Sequence, residues 1–200
     1  MGSMKRWTTL AAYDVIVIGG GAAGMFSAAT AAFAGSRVLL LEKTDRFGWK
    51  LSITGKGRCN VTNHCPWEDV LKNVSTNPRF LYSVMDRFPP EKTMEVFEAM
   101  GVPLKTERGN RVFPVSDRAG DVVSALRAYV ERSGVECRKG IVTGLLVKDG
   151  ILQGVETAQG SYRASKVIVA TGGMSYPRTG IAAYYQPEEL VGKTLVACTN

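Results

Sequence analysis

Gly19, Gly21 and Gly24 stand in a G-x-G-x-x-G spacing, and the carboxylate of Glu42 follows 18 positions after the last of them. Those residue types in that order suit dinucleotide recognition. The first glycine allows a sharp turn from strand to helix. The second removes a Cβ so that backbone approaches a pyrophosphate, and the third lets helix and strand pack closely. Ala22 and Ala23 open the helix between them, whose leading N–H groups and positive dipole end favour phosphate. A carboxylate about 20 residues further on accepts hydrogen bonds from ribose hydroxyls. Glu42 fills that role, with Lys43 beside it. Chance glycine spacings are common in a chain with 22 glycines. The conjunction of apolar strand, glycines, helix, second strand and terminal carboxylate carries the assignment.

The elements that must position these residues are legible around them. Val15–Ile18 and Val38–Leu41 are continuous apolar runs of the kind buried on both faces of a parallel sheet. An alanine-rich helix joins them. Lys166–Ala170 reads as a third buried strand, ending in Thr171, Gly172 and Gly173, where small residues leave room for a ligand. A second anion-binding feature is encoded between Gly48 and Asn63. Glycines there lie close to Lys50, Lys56 and Arg58, a composition suited to a backbone nest with cationic arms. Residue types alone support phosphate contact and a solvated loop equally.

The remaining chain reads as support. Lys43–Asn63 is expected to be an ordered loop. Pro78 starts a helix carrying Phe80, Leu81, Val84, Met85 and Phe88. After Pro89 and Pro90 a second helix carries Met94, Val96, Phe97 and Met100, and this aromatic and methionine stripe reads as core. Asp117–Arg132 is an amphipathic helix that Gly134 ends. Strands at Val135–Arg138, Ile141–Val147 and Ile151–Thr157 form a small antiparallel meander, with Asp149-Gly150 as the tight turn and Ser161–Arg163 as a further short strand. The fold class is α/β: a Rossmann-like domain with central parallel sheet, flanking helices and an antiparallel β-meander.

Composition narrows the setting. The chain has 200 residues, 45% of them hydrophobic, enough for one domain with a real core. No apolar run approaches the roughly 20 residues of a membrane span. Cysteines at 59, 65, 137 and 198 form no C-x-x-C pair, and Cys59, His64 and Cys65 fit no common zinc spacing, so no metal site is expected. Reduced thiols in a cytoplasmic protein are the expectation. The net charge of +7 comes from scattered basic residues and reads as general basicity. A single histidine and the lack of a nucleophile elbow argue against Ser/His/Asp chemistry, so no catalytic residue is nominated.

With these residues assembled, the chain resembles the bacterial NAD(P)/FAD-dependent oxidoreductases of the aminoacetone-oxidase-like, bile-acid-pathway flavin reductase-like group. The carrying motifs are Gly19-Gly20-Gly21-Ala22-Ala23-Gly24, the run Thr54-Gly55-Lys56-Gly57-Arg58-Cys59-Asn60-Val61-Thr62-Asn63, and Ala170-Thr171-Gly172-Gly173-Met174-Ser175-Tyr176-Pro177. The first and third are shared by many FAD enzymes; the second is close to diagnostic. The resemblance runs from about Tyr13 to Gly180 and implies FAD as cofactor. It implies that Glu42 holds the adenosine ribose and that the glycine turn holds the pyrophosphate. Lys50 with Gly57, Arg58, Cys59 and Asn60 would line the cofactor, backbone near Val142 would meet the adenine, and Ala170, Thr171, Gly172 and Gly173 would close over it. Trp49 departs from the family, which usually has a basic residue there.

The expected organisation is a disordered or vector-derived start at 1–12, an FAD-binding domain at 13–180 and an atypical tail at 181–200. The tail resembles a fragment of a tRNA-binding oligonucleotide-binding module, too short to close a barrel; a truncated or fused reading frame is the expectation, lacking the substrate domain. The expected function is the FAD-binding portion of an oxidoreductase that moves hydride between NAD(P)H and an unsaturated or carbonyl-bearing substrate. An NAD-dependent dehydrogenase without flavin and a non-enzymatic RNA-associated protein are the alternatives. The substrate, small molecule or RNA, stays open, and no membrane partner is expected.

Overall fold

The computed structural model describes residues 12–172 and the backbone of a short strand at Leu195–Ala197. In chain order the first elements are β1 (Tyr13–Ile18), α1 (Ala22–Phe33), β2 (Val38–Glu42), α2 (Trp49–Ile53) and β3 (Thr62–Asn63). Then come α3 (Trp67–Lys72), α4 (Tyr82–Arg87), α5 (Pro90–Ala99), β4 (Leu104–Glu107), β5 (Arg111–Pro114) and α6 (Ala119–Arg132). Four further strands follow, β6 (Glu136–Lys139), β7 (Val142–Lys148), β8 (Ile151–Thr157) and β9 (Gly160–Val169), and then β10 (Leu195–Ala197). Two compact units result. One holds the described residues up to Gly48 and from Tyr129 onward; the other is Trp49–Ala128.

The first unit is built on a mixed sheet in the order β6-β2-β1-β9-β8-β7, with β10 also pairing β9. Strands β6, β2, β1, β9 and β10 pair in parallel, and β9, β8 and β7 pair antiparallel. β1 and β2 are buried along nearly their whole length, as their apolar runs require. On β1 and β2, Ile16, Ile18, Leu39 and Leu41 pack with Leu145, Leu152 and Val155 of the antiparallel strands and Val167 of β9. Each such side chain contributes about 1.5–3 kcal/mol by leaving water. Helix α1 forms because its alanines have the best helix propensity. It packs on β1 and β2, and its buried residues are small except for Met25 (Gly24, Ala28, Ala29). Near the start of β1, the Tyr13 hydroxyl donates to Glu136 Oε2 at 2.7 Å, tying β1 to β6 across β2. Burial, then the bond to Glu136, pushes the Tyr13 phenol up to about 12.

In the first unit two details differ from the sequence reading, and in the second the expected Lys43–Asn63 loop holds α2 and β3. Val135–Arg138 was expected in the meander, but the strand there, β6, pairs in parallel with β2. Helix α6 ends at Gly134, which has φ +76°, and the returning chain completes a helical crossover onto the sheet edge. The expected separate strands Ser161–Arg163 and Lys166–Ala170 form a single β9. No Gly, Pro, Asn or Asp lies between Ser161 and Ala170, and the chain stays extended. Asp149 and Gly150 do form the hairpin turn, with φ of +51° and +77° as a primed turn demands.

The second unit contains an antiparallel sheet in the order β3-β5-β4, which sequence reading did not foresee. Its strands have four residues or fewer, too short to show a period. Cys59, Val102, Ala119 and Val122 form its core with Leu51, Val61, Phe97, Leu104 and Ala125 around them. The expectation that the aromatic and methionine stripe is core holds only in part: Phe80 is 75% and Val84 54% exposed, whereas Leu81, Met85, Phe88, Met94, Val96 and Met100 are half-buried and Phe97 packs on the core. Asn77 sits at φ +49° and a tight 3₁₀ turn at Pro78–Leu81 precedes α4, so the Phe80–Phe88 residues do not share one helical face. Among the described residues no helix is long and apolar enough to cross a membrane.

Candidate dinucleotide site

The turn after β1 is specified glycine by glycine. Gly19 has φ +105°, and a Cβ there would lie 2.4 Å from the Ala170 carbonyl oxygen. The end of β9 is therefore locked against the turn, where Ala170 N–H donates to Ile18 O at 2.8 Å and Gly19 N–H to Leu41 O at 2.8 Å. A Cβ on Gly24 would stand 1.7 Å from Gly19 O, so α1 rests directly on the turn. Gly20, to which sequence reasoning gave no task, is pressed against the Phe47 ring, 2.5 Å from a notional Cβ. Its carbonyl accepts from Gly48 N–H at 2.8 Å.

Gly21 differs from the other three. Its backbone is extended at φ −79°, ψ −172°, a conformation open to any residue, and no atom of the described residues lies within 4 Å of where its Cβ would be. Among the described residues neither strain nor packing accounts for a glycine here. The open space lies at the N-cap of α1, a helix start with no side-chain cap and no acidic residue in its first turn. The leading N–H groups at Ala22, Ala23 and Gly24 have no intrahelical acceptor in a helix of this geometry. A ligand carrying a pyrophosphate fits both features, since it needs close backbone and unsatisfied donors.

Glu42 is aimed at this turn from the end of β2. Its Oε2 accepts from Gly20 N–H at 2.7 Å, and its Oε1 accepts from the Thr44 N–H and hydroxyl, each at 2.9 Å. The side chain predicted for ribose thus also braces the glycine turn, using three of the roughly four acceptor sites of a carboxylate. Gly140 N–H donates to Glu42 O at 2.9 Å, which sets the approach to Val142 beside the end of β2. Lys43 is exposed next to Glu42, and Lys139 pairs with Asp45 at 2.7 Å. Thr171 is exposed, and Gly172 takes φ +89° just past β9. Gly173 and the Met174–Pro177 part of its motif, like the expected leader and most of the 181–200 tail, lie outside the described residues. The first unit therefore brings together Gly19, Gly21, Ala22, Ala23, Gly24, Glu42, Ala170 and Thr171.

The second unit carries Lys50, Gly57, Arg58, Cys59 and Asn60. Lys50 lies exposed on α2. Beyond it the chain makes a run of left-handed residues: Gly55 at φ +55°, Lys56 at +59°, Gly57 at +85° and, after a right-handed Arg58, Cys59 at +61°. Each residue with a side chain costs about 1–2 kcal/mol in that conformation. Surrounding contacts hold it there. Cys59 is 1% exposed in the core, and its N–H donates to Thr54 O at 3.2 Å. Burial pushes its thiol up, with a hydrogen bond to Thr54 opposing, so Cys59 is a neutral anchor. Val61 N–H donates to Val112 O at 2.9 Å.

Arg58 is the other anchor. Its guanidinium donates to Glu107 at 2.5 Å and, through Nε, to Asp117 at 2.7 Å, and lies 4.1 Å over the Phe113 ring centroid. The bond to Glu107, then that to Asp117, pushes Arg58 upward. Lys105 reaches Asp117 at 2.6 Å, and both carboxyls are held below their usual range, Glu107 mainly by Arg58 and Asp117 mainly by Lys105. Gly20, Thr44, Phe47, Glu107, Phe113 and Asp117 were all missed in sequence. Gly20 lay inside the motif; Glu107 is 49 positions from its partner and had no signal.

Comparison with known proteins identifies the family and the fold. The model of the HI0933-like protein Rossmann domain matches residues 13–199, a span that runs past Gly180. The ribosomal RNA dihydrouridine synthase of Escherichia coli (strain K12) is 31% identical over 172 residues, covering 86% of this chain and 42% of that protein. The 3-dehydro-bile acid delta(4,6)-reductase of Clostridium scindens is 34% identical over 170 residues, covering 82% and 40%. The chain thus spans less than half the length of these curated relatives. Among solved structures, the 3-ketosteroid-delta4-(5alpha)-dehydrogenase from Rhodococcus jostii RHA1 shares the fold at TM-score 0.65 and 20% identity, over 86% of this chain and 48% of that one. The chain belongs to the HI0933-like family and carries its Rossmann domain, and the dinucleotide that this domain binds is FAD.

Proposed function

We propose that this chain is the FAD-binding part of an oxidoreductase that moves hydride between NAD(P)H and an unsaturated or carbonyl-bearing substrate. The observation that carries the reading is Gly21, a glycine required by no contact among the described residues and set at a helix start without a side-chain cap. FAD supplies the hydride chemistry, and the protein supplies placement and electrostatics. In this reading the N–H groups of Ala22, Ala23 and Gly24 bind the pyrophosphate and Glu42 binds the ribose. Lys43, Val142, Ala170, Thr171, Gly172 and Gly173 border the adenosine and pyrophosphate, and Lys50, Gly57, Arg58, Cys59 and Asn60 contribute from the Trp49–Ala128 unit. The names of the relatives support the substrate class, because a delta(4,6)-reductase and a dihydrouridine synthase both denote addition of hydrogen to an unsaturated ring.

The test is spectroscopic. Purified protein is expected to show flavin absorbance or to gain it on reconstitution with FAD, and anaerobic NADH or NADPH is expected to bleach those bands. Bands that neither nucleotide bleaches would rule out the nicotinamide donor. Protein that takes up no flavin at all would rule out the whole reading.

A further inference from the structure

We propose that Arg58 is a positioning residue: it fixes the left-handed Gly55–Cys59 loop from behind and is not an anion-binding arm of that loop. The inference rests on the flavin reading above for its meaning, since the loop is there assigned to the cofactor, and on the geometry of the Trp49–Ala128 unit for its content.

A basic residue in a glycine-rich loop ordinarily suggests contact with phosphate. Here the charge of Arg58 is already matched. Nε and one terminal nitrogen are committed to Asp117 and Glu107, and one face of the guanidinium lies on Phe113. Lys105 completes a set of two cations and two carboxylates, so the cluster carries no net charge to offer an anion. A phosphate drawing Arg58 away would have to compete with two carboxylates and expose Glu107 and Asp117 to each other.

The same contacts are well placed to hold the backbone. Phe113 is 3% exposed, and its ring lies 3.2 Å from a notional Cβ on Gly55, so one aromatic floor supports both Gly55 and Arg58. Arg58 is also the single right-handed residue between left-handed Gly57 and Cys59. Its side chain is clamped to β4, β5 and the segment after β5, while Cys59 is sunk into the core. Two adjacent side chains with separate sets of partners thereby grip the loop and keep Lys56 in an unfavourable conformation. Lys50 and Lys56 are exposed and pair with no carboxylate among the described residues, so they are the cations free to meet an anion.

The experiment compares Arg58→Ala with the double variant Glu107→Gln/Asp117→Asn, in the unliganded protein and with FAD. Hydrogen exchange at the Cys59 amide, bonded to Thr54 O, reads the loop without any cofactor. Both variants are expected to accelerate it roughly tenfold, the loss of one or two charge-assisted bonds. Both are expected to weaken FAD binding by a similar factor, and the triple variant is expected to be no worse than either. The double variant decides the question, because it keeps the arginine and frees it. Tighter FAD binding in that variant would overturn the proposal and make Arg58 a direct ligand. Cys59 exchange unchanged in both variants would overturn it as well. If the unmodified protein takes up no FAD, the flavin reading fails, and the exchange measurement alone still decides whether Arg58 holds the loop.

Discussion

The turn at Gly19–Gly24 and the loop at Gly55–Cys59 are both glycine-rich; residue types alone read the first as anion-binding and left the second evenly between phosphate contact and a solvated loop. They are built on opposite principles. In the turn, glycine is chiefly a matter of crowding: Gly19, Gly20 and Gly24 each sit where a Cβ would strike another part of the chain, at 2.4, 2.5 and 1.7 Å. In the loop, Gly57 has open space around it and is required only by its positive φ. The turn is rigid because neighbours fill every approach except the one at Gly21. The loop is rigid because side chains outside it, Arg58 and Cys59 above all, hold a backbone that would otherwise relax. A glycine motif therefore names a geometry without naming the force that maintains it.

Substitutions can break this contrast in graded steps. Gly24→Ala sets a methyl group against Gly19 O and is expected to cost upwards of about 4 kcal/mol, read by urea unfolding. Gly21→Val should leave urea stability within about 1 kcal/mol. It should nevertheless weaken FAD retention by about 1–3 kcal/mol or more, measured by flavin content after gel filtration. Should that variant unfold like Gly24→Ala, the two glycines would not differ in kind. Glu42→Ala removes the brace on Gly20 along with the ribose acceptor. Stability and FAD affinity are expected to fall together, by about 1.5–3 kcal/mol each. Gly57→Ala should cost about 1–2 kcal/mol from its left-handed backbone alone, with no clash against another described part of the chain.

The smallest effect is the acid response of the loop. Glu107 and Asp117 are depressed by Arg58 and Lys105, so their contribution is fully present above the ordinary carboxylate value of about 4. It shrinks as pH falls below that value and is gone once pH has passed below the depressed folded values. Protection of the Cys59 amide, corrected for intrinsic exchange, should decline over that window, while protection of Gly19 should not. Parallel decline at both amides would mean that the loop and the turn share one opening event.

Much of the turn was legible because its causes are local. Six residues, a preceding apolar strand and a carboxylate at the expected distance encode it, and the Asp149-Gly150 hairpin was equally local. The loop was only half legible. Its glycines and basic residues were visible, but the partners that decide what Arg58 does come from β4 and just beyond β5, strands of four residues each that show no period. The Phe80–Phe88 stripe misled in part, for a related reason: a helical spacing was read across Pro78–Leu81, where the backbone turns too tightly to keep it.

β9 is a single strand with two sets of partners. Its first residues are registered antiparallel, Val155 against Tyr162, and its last are registered in parallel, Ile18 against Val169. That makes it a ruler between the hairpin and the cofactor end of the sheet. Deleting one residue from the stretch joining the two registers would turn every later side chain to the opposite face and draw Thr171 back by about 3.3 Å from Gly19. Length changes at the Asp149-Gly150 turn carry no such penalty. The spacing between the hairpin and the cofactor end of the sheet is set by counting residues along one extended segment.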